Sequence, residues 1–194
     1  FWVKLSRLYL QRLKSGPVKT IFVAGQNGLI NEILSKRGSQ FEYVEIYDRL
    51  RRVYDSVPPV EIVSEDEIKA IFHESFRVSR RSIGLNSSFY QVFCDIAVEI
   101  INHKVNKLIN SVTPLVQEVR ALKERHKASV VLSGGFYEIP GIAISNALRK
   151  NGIQIISTEH GLTAGISKWR RSTINYTEPN TSDVIMTYNK MSTA

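Results

Sequence analysis

The 194-residue sequence predicts an α/β fold, a parallel sheet flanked by helices. Three observations carry that expectation. Short apolar, β-rich runs at 20–24 (TIFVA), 130–132 (VVL) and 153–156 (IQII) alternate with helix-length segments. The last two runs are joined by one helical segment, opened by Pro140 and closed near Gly152, and such a unit suits parallel strands with a right-handed crossover. The runs also end in turn-forming stretches: Gly25-Gln26-Asn27-Gly28, Ser133-Gly134-Gly135 and Thr158-Glu159-His160-Gly161.

Parallel strands point their carboxyl ends the same way. Ser133-Gly134-Gly135 and Thr158-Glu159-His160-Gly161 are therefore expected on one edge of the sheet, where open α/β sheets bind ligands. Gly161 beside His160 lets a ligand or another backbone approach closely. Gly134 and Gly135, placed ahead of a helix, are expected to leave backbone N–H groups free for an anion. Residues 129–165 are thus the most site-like stretch of the chain.

Hydrophobic residues at 43% and charged residues at 23% are the proportions of a globular chain, long enough for one domain or for a large half of two. The lone Cys94 forms no internal disulfide and reads as a buried thiol, in keeping with a reducing compartment. No run reaches the roughly 18 to 20 apolar residues of a spanning helix, because residues 92–101 are interrupted by Asp95 and Glu99. A cytoplasmic location is expected, with no signal peptide. A net charge of +8 and a pI near 9.6 favour an anionic partner. The basic residues are scattered, and no zinc spacing or RNP-like aromatic pattern accompanies them, so nucleic acid is not the expected partner. The chain starts at Phe1 and stops soon after a last strand pattern, as a piece of something longer would.

Taken in order, residues 1–14 (FWVKLSRLYLQRLK) place Trp2, Leu5, Leu8, Tyr9 and Leu13 near one face, with Lys4, Arg7, Arg12 and Lys14 mostly off it. Residues 1–16 therefore read as an amphipathic basic helix and its terminator. It either packs on its own domain or lies on a membrane surface. Residues 17–194 form the α/β domain. The run 20–24, a helical stretch to Lys36 and a second strand over 41–47 make a β-α-β start of the Rossmann kind. The turn after the first run, with Gly25 and Asn27, is shorter than G-x-G-x-x-G; it is a tight turn or an acceptor contact.

The pattern loosens from Arg49, and Pro58-Pro59 marks a turn. Ser64-Glu65-Asp66-Glu67 is a capping box opening a helix toward Ser79. Arg77, Arg80 and Arg81 close it, complementing its dipole or meeting phosphate. Long helices are expected over 64–126. The stripe Phe89, Phe93, Ile96, Ile100, Ile101, Val105, Leu108, Val112, Leu115, Val119 and Leu122 predicts a packing face, with Pro114 kinking it or dividing it into two helices. His73 has no companion at metal-ligand spacing, and His103 and His126 fall on the polar side. After the central β-α-β unit, 162–180 reads as an irregular loop over the site edge, in which Lys168, Arg170 and Arg171 meet phosphate or solvent. Residues 182–187 (SDVIMT) predict a last strand.

The order apolar strand, Gly-Gly, aromatic, Pro, helix, strand, acid-His-Gly, then Asp and an apolar strand resembles the end of the N-terminal Rossmann domain of GT-B fold glycosyltransferases. It is most similar to bacterial enzymes of surface polysaccharide and lipopolysaccharide assembly, and is related in pattern to teichoic-type polyol-phosphate transferases and nucleotide-sugar 2-epimerases. The close part covers about residues 129–189. The resemblance implies an acceptor-side domain, with a second domain beyond it binding the nucleotide-sugar donor. It implies His160 as general base toward an acceptor hydroxyl, with Glu159 beside it, and Gly134 and Gly135 as the Gly-rich turn of the acceptor side; Gly25, Asn27, Gly161, Lys168 and Arg170 complete the substrate contacts expected from the residues themselves. It implies a glycan or lipid-linked acceptor, peripheral contact with the inner membrane surface, and no metal or cofactor, the nucleotide sugar being substrate.

The chemistry fits those residue types. An imidazole with an ordinary pKa of about 6.5 can take a proton from an attacking hydroxyl at cellular pH. Helix N-termini and Arg or Lys side chains can stabilise a departing diphosphate. A structural hydrogen bond at a strand end is the other reading of His160. An epimerase of the same fold is the nearest enzymatic alternative, although Gly161-Leu162-Thr163 departs from the Gly-Leu-Arg continuation typical there. A non-catalytic α/β binding module is the alternative outside enzymes.

Overall fold

The computed structural model describes residues 20–25, 28–37, 41–83, 87–136, 138–158 and 181–186. The predicted amphipathic segment 1–16 and the predicted loop 162–180 lie outside the described residues. In chain order the elements are β1 (Thr20–Ala24), α1 (Gly28–Arg37), β2 (Glu42–Glu45), α2 (Tyr47–Ser56), α3 (Glu65–Ile83), α4 (Ser87–His126), β3 (Val130–Ser133), α5 (Ile139–Lys150), β4 (Gln154–Thr158) and β5 (Val184–Met186).

The five strands form one sheet in the order β2-β1-β3-β4-β5, and every pairing is parallel. Parallel sheets are covered on both faces, which is why β1 and β3 are buried throughout and apolar except for Thr20 and Ser133 at their ends. On one face Phe22, Ala24, Val131 and Ile155 pack with Leu50 and Tyr54 of α2, Leu115, Val119 and Leu122 of α4, and Ala143, Ile144 and Leu148 of α5. On the other face Ile21, Val130, Leu132 and Ile156 meet Ile33 and Leu34 of α1. The edge strand β2 exposes Glu42, Tyr43 and Glu45, and charge on an edge discourages pairing with another chain.

The ends of α5 follow from sequence. Pro140 enters its first turn, where a missing N–H costs nothing. At its other end Gly152 takes φ 66°; its N–H donates to Arg149 O (2.8 Å) while that of Ile153 donates to Leu148 O (3.0 Å), a Schellman closure. Asp183 then fastens β5. Its Oδ2 accepts from the Ile155 N–H (2.7 Å) and its Oδ1 from Arg149 Nε (2.9 Å), joining β5, β4 and α5 through one carboxylate.

Five expectations are corrected. The second strand is shorter than 41–47, because Tyr47 opens α2, a helix the loosened pattern after Arg49 concealed. The helix from the capping box runs past Ser79 to Ile83. Pro114 does not divide the long helix: α4 is continuous over 40 residues. A proline inside a helix removes one backbone hydrogen bond, and here the turns on both sides are held independently. Leu115, Val119 and Leu122 are anchored in the core, and Asn106 and Asn110 bind the chain at 60–63. Finally, the stripe is buried only in its C-terminal half. In the N-terminal half Tyr90, Cys94 and Val98 are buried, while Phe89, Ile96 and Ile100 are 58%, 54% and 49% exposed. His126, placed on the polar side by sequence, sets its ring edge-on to Phe22.

Candidate functional site

In a doubly wound parallel sheet, ligands bind outside the carboxyl ends of the strands where the strand order reverses. The order β2-β1-β3-β4-β5 reverses between β1 and β3. From β1 the chain goes outward through α1 to β2 on one side. From β3 it goes outward through α5 to β4 on the other. The two connections part above the ends of β1 and β3, the place where sheets of this kind bind ligands.

Three of the residues expected as substrate contacts meet at this point. Gly25 follows β1 with φ 72°, and Gly134 and Gly135 follow β3, Gly135 with φ 117°, so both turns use backbone that only glycine adopts at little cost. The Gly134 N–H donates to Gly25 O (3.0 Å) and to Ala24 O (3.3 Å), so the two turns are bonded together across the switch point. The Gly135 N–H donates to Ser133 Oγ (2.9 Å), and Ser133 is fully buried. These bonds correct the expectation of an anion cradle, since both glycine amides are taken by the protein itself. Among the described residues nothing lies within 4 Å of a Cβ built on Gly25, so that side of the turn is open.

The wall on the α2 and α5 side was not foreseen. Arg51 of α2 donates from Nη1 to Glu138 Oε2 (2.9 Å) just ahead of α5, and from Nε to Asp55 Oδ2 (3.1 Å). Burial works against the Arg51 charge, but hydrogen bonds to Tyr47, Asp55 and Glu138 outweigh it and hold its pKa above the ordinary value. Tyr47 packs its ring against Phe136, with centroids 6.4 Å apart. The signal available in sequence was the pair Tyr47 and Arg51, four apart as on one helix face. It was hidden because that segment was not read as helical.

On the other side of β3, β4 pairs in the register Ser133↔Ser157 and ends at Thr158. Ser157 and Thr158 are fully buried, and the Ser182 hydroxyl donates to Ser157 Oγ (2.5 Å). β3 and β4 thus end side by side, at Ser133 and Thr158, as the sequence predicts for these strands. Glu159, His160, Gly161, Lys168, Arg170 and Asn27 lie outside the described residues. Among the described residues no group of three or more His, Cys, Asp or Glu side chains could hold a metal ion, and no helix is long and apolar enough to cross a membrane. No protein-family profile matches the chain, and no curated protein matches it at a significant level.

Proposed function

We propose that this chain is the acceptor-side domain of a glycosyltransferase that moves a sugar from a nucleotide-sugar donor to a surface-polysaccharide or lipid-linked acceptor. The observation that carries the reading is the shared edge. The β1/β3 switch point with Gly25, Gly134 and Gly135 adjoins the end of β4, and Glu159 and His160 follow Thr158 directly in sequence. The resemblance of residues 129–189 to GT-B enzymes supports the same assignment.

The hydrogen-bonded glycine turns favour acceptor over donor at this edge. A nucleotide diphosphate is ordinarily held by free backbone N–H groups at a strand-to-helix turn. Here the Gly134 and Gly135 amides are already donating within the protein, whereas hydroxyl groups of a sugar need only an open cleft and a few polar partners. In this reading His160 removes the proton from the attacking hydroxyl, Glu159 orients or charges the imidazole, and Lys168 and Arg170 face the phosphates of the donor or of a lipid-linked acceptor. The donor's nucleotide belongs to a second domain.

The test is transfer of radiolabelled sugar from UDP-, GDP- and CMP-sugars into the lipid and polysaccharide fractions of bacterial membranes, using the gene-length protein. His160→Ala is expected to lower transfer by at least about a hundredfold, the usual scale of general-base loss, with an unchanged circular dichroism spectrum. Wild-type transfer by that variant would remove His160 from the chemistry. Isomerisation of a UDP-sugar without any acceptor would instead establish an epimerase.

A further inference from the structure

Strand register brings three chain segments level at the carboxyl edge. Val23 stands opposite Glu45, so Gly25 and Tyr47 each lie two residues beyond the same pair, and Ser133 stands opposite Ala24. The Ile46 N–H still donates to Val23 O (2.9 Å), after which Tyr47 opens α2. Phe136 and Glu138 lie between β3 and α5. Tyr47 and Arg51, four apart on α2, share one helix face, and that face meets Phe136 and Glu138.

Each of these side chains is fixed by another. The Tyr47 ring rests on the buried Phe136, and Tyr47 also bonds with Arg51. Arg51 holds Glu138 Oε2 from Nη1 (2.9 Å) and Asp55 Oδ2 from Nε (3.1 Å). Tyr47 is nevertheless only half-buried, and the Arg51 and Glu138 side chains are 38% and 67% exposed. Ion pairs this exposed add little to folding stability, so stability does not account for a donor and an acceptor held in register at the surface. Among the described residues nothing donates to Glu138 Oε1, which stays open to a hydroxyl.

An aromatic ring with a donor and an acceptor beside it matches a pyranose. The C–H groups on one face of the sugar carry partial positive charge and pack on the negative face of the ring. Each hydroxyl both donates and accepts, so two neighbouring hydroxyls can accept from a guanidinium and donate to a carboxylate. Charge narrows the class. The Arg51 guanidinium stands against two carboxylates, Asp55 and Glu138, which leaves this group anionic by one charge. A carboxylate or phosphate on the sugar is repelled there, whereas neutral hydroxyls are not.

We propose, resting on the acceptor-side reading of this edge, that Tyr47, Arg51 and Glu138 bind a neutral pyranose of the acceptor. The sugar stacks on the Tyr47 ring and places two adjacent hydroxyls on Arg51 and Glu138. Phe136 backs the ring, and Asp55 keeps Arg51 turned toward Glu138. The site selects against uronic acids and sugar phosphates through its charge, and it does so without using the occupied amides of Gly134 and Gly135.

Saturation-transfer NMR on the 194-residue protein tests this with the methyl glycosides of glucose, galactose, mannose and N-acetylglucosamine, and with those of glucuronic and galacturonic acid as acidic counterparts. At least one neutral glycoside is expected to take saturation and to bind more tightly than the acidic ones. Tyr47→Ala is expected to weaken it at least about tenfold, the loss of a stacked ring, and Tyr47→Phe, which keeps the ring, to weaken it less. Glu138→Gln changes charge at an exposed position and leaves the core intact. It is expected to raise the affinity of the acidic glycosides relative to the neutral ones about two- to fivefold. No saturation of any neutral glycoside, tighter binding of an acidic one by the wild type, or neutral binding unchanged in Tyr47→Ala would each overturn the proposal. Sugar transfer by the gene-length protein that continues unchanged in Tyr47→Ala would overturn this site and leave the transferase standing. Neutral-glycoside binding that depends on Tyr47, with no transfer from any nucleotide sugar, would uphold the sugar site and remove the transferase.

Discussion

Asn106 organises the connection between α2 and α3 from the side of α4. Its Oδ1 accepts from the N–H groups of Ile62 (2.7 Å) and Val63 (2.8 Å), and its Nδ2 donates to Val63 O (2.9 Å). Asn106→Leu keeps the volume but strands these backbone groups. It is expected to lower stability by about 1 to 3 kcal/mol in urea denaturation, the usual cost of partly buried polar groups left unpaired. Gly141 is fixed by a different constraint. A Cβ there would lie 2.9 Å from Phe136 Cα, and because the neighbour is backbone it cannot rotate away. Gly141→Ala is therefore expected to cost about 1 to 3 kcal/mol, the range for overpacking, and to shift the turn that carries Gly134 and Gly135. Neither role was visible in the sequence, since both depend on what packs opposite: α4 on the loop in one case, α5 on its own entry turn in the other. The capping box was legible because its partners are three residues apart. Ser64 donates from its N–H and its hydroxyl to Glu67 Oε2 (2.9 Å each), and these bonds hold the Glu67 carboxyl below its ordinary 4.5. A depressed folded value stabilises the protein above the unfolded value, and the contribution is lost as pH falls through the folded one. Stability measured against pH is expected to fall less steeply on the acid side of 4.5 in Glu67→Gln than in the wild type.

At the scale of elements, the sequence read β1, β3, α5 and β4 well, because buried parallel strands and a proline-to-glycine helix leave strong local marks. It read α4 as two helices and its stripe as one continuous packing face. The helix is single because packing outweighs a local breaker, and the stripe is split because the sheet covers only the turns after Leu108. Periodicity finds an apolar face but cannot say how far the covering surface extends. The short β5 depends on Asp183 more than on its own three residues. Asp183→Ala is expected to free β5 while leaving β1 and β3 folded. Hydrogen exchange should then rise at Val184–Met186 and Ile155 and stay slow at Phe22 and Val131. Equal loss of protection at all of these would show that β5 belongs to the same cooperative unit as the sheet centre.

For the whole molecule, the strand order decides where chemistry can occur. Sequence predicted parallel strands with a shared edge, but the reversal between β1 and β3 follows from which strands pair, and pairing across 100 residues leaves no local trace. That reversal sets Gly25 against Gly134. The account makes this edge an acceptor cleft whose glycine amides are occupied. The most direct test is amide chemical-shift mapping of the isotopically labelled protein, titrated separately with short soluble oligosaccharides and with UDP. The account predicts that oligosaccharide shifts the resonances of Gly25, Gly135 and Thr158 while UDP leaves Gly134 and Gly135 in place. Shifts of those two glycine amides with UDP, or oligosaccharide shifts confined to residues away from the β1/β3 edge, would contradict it.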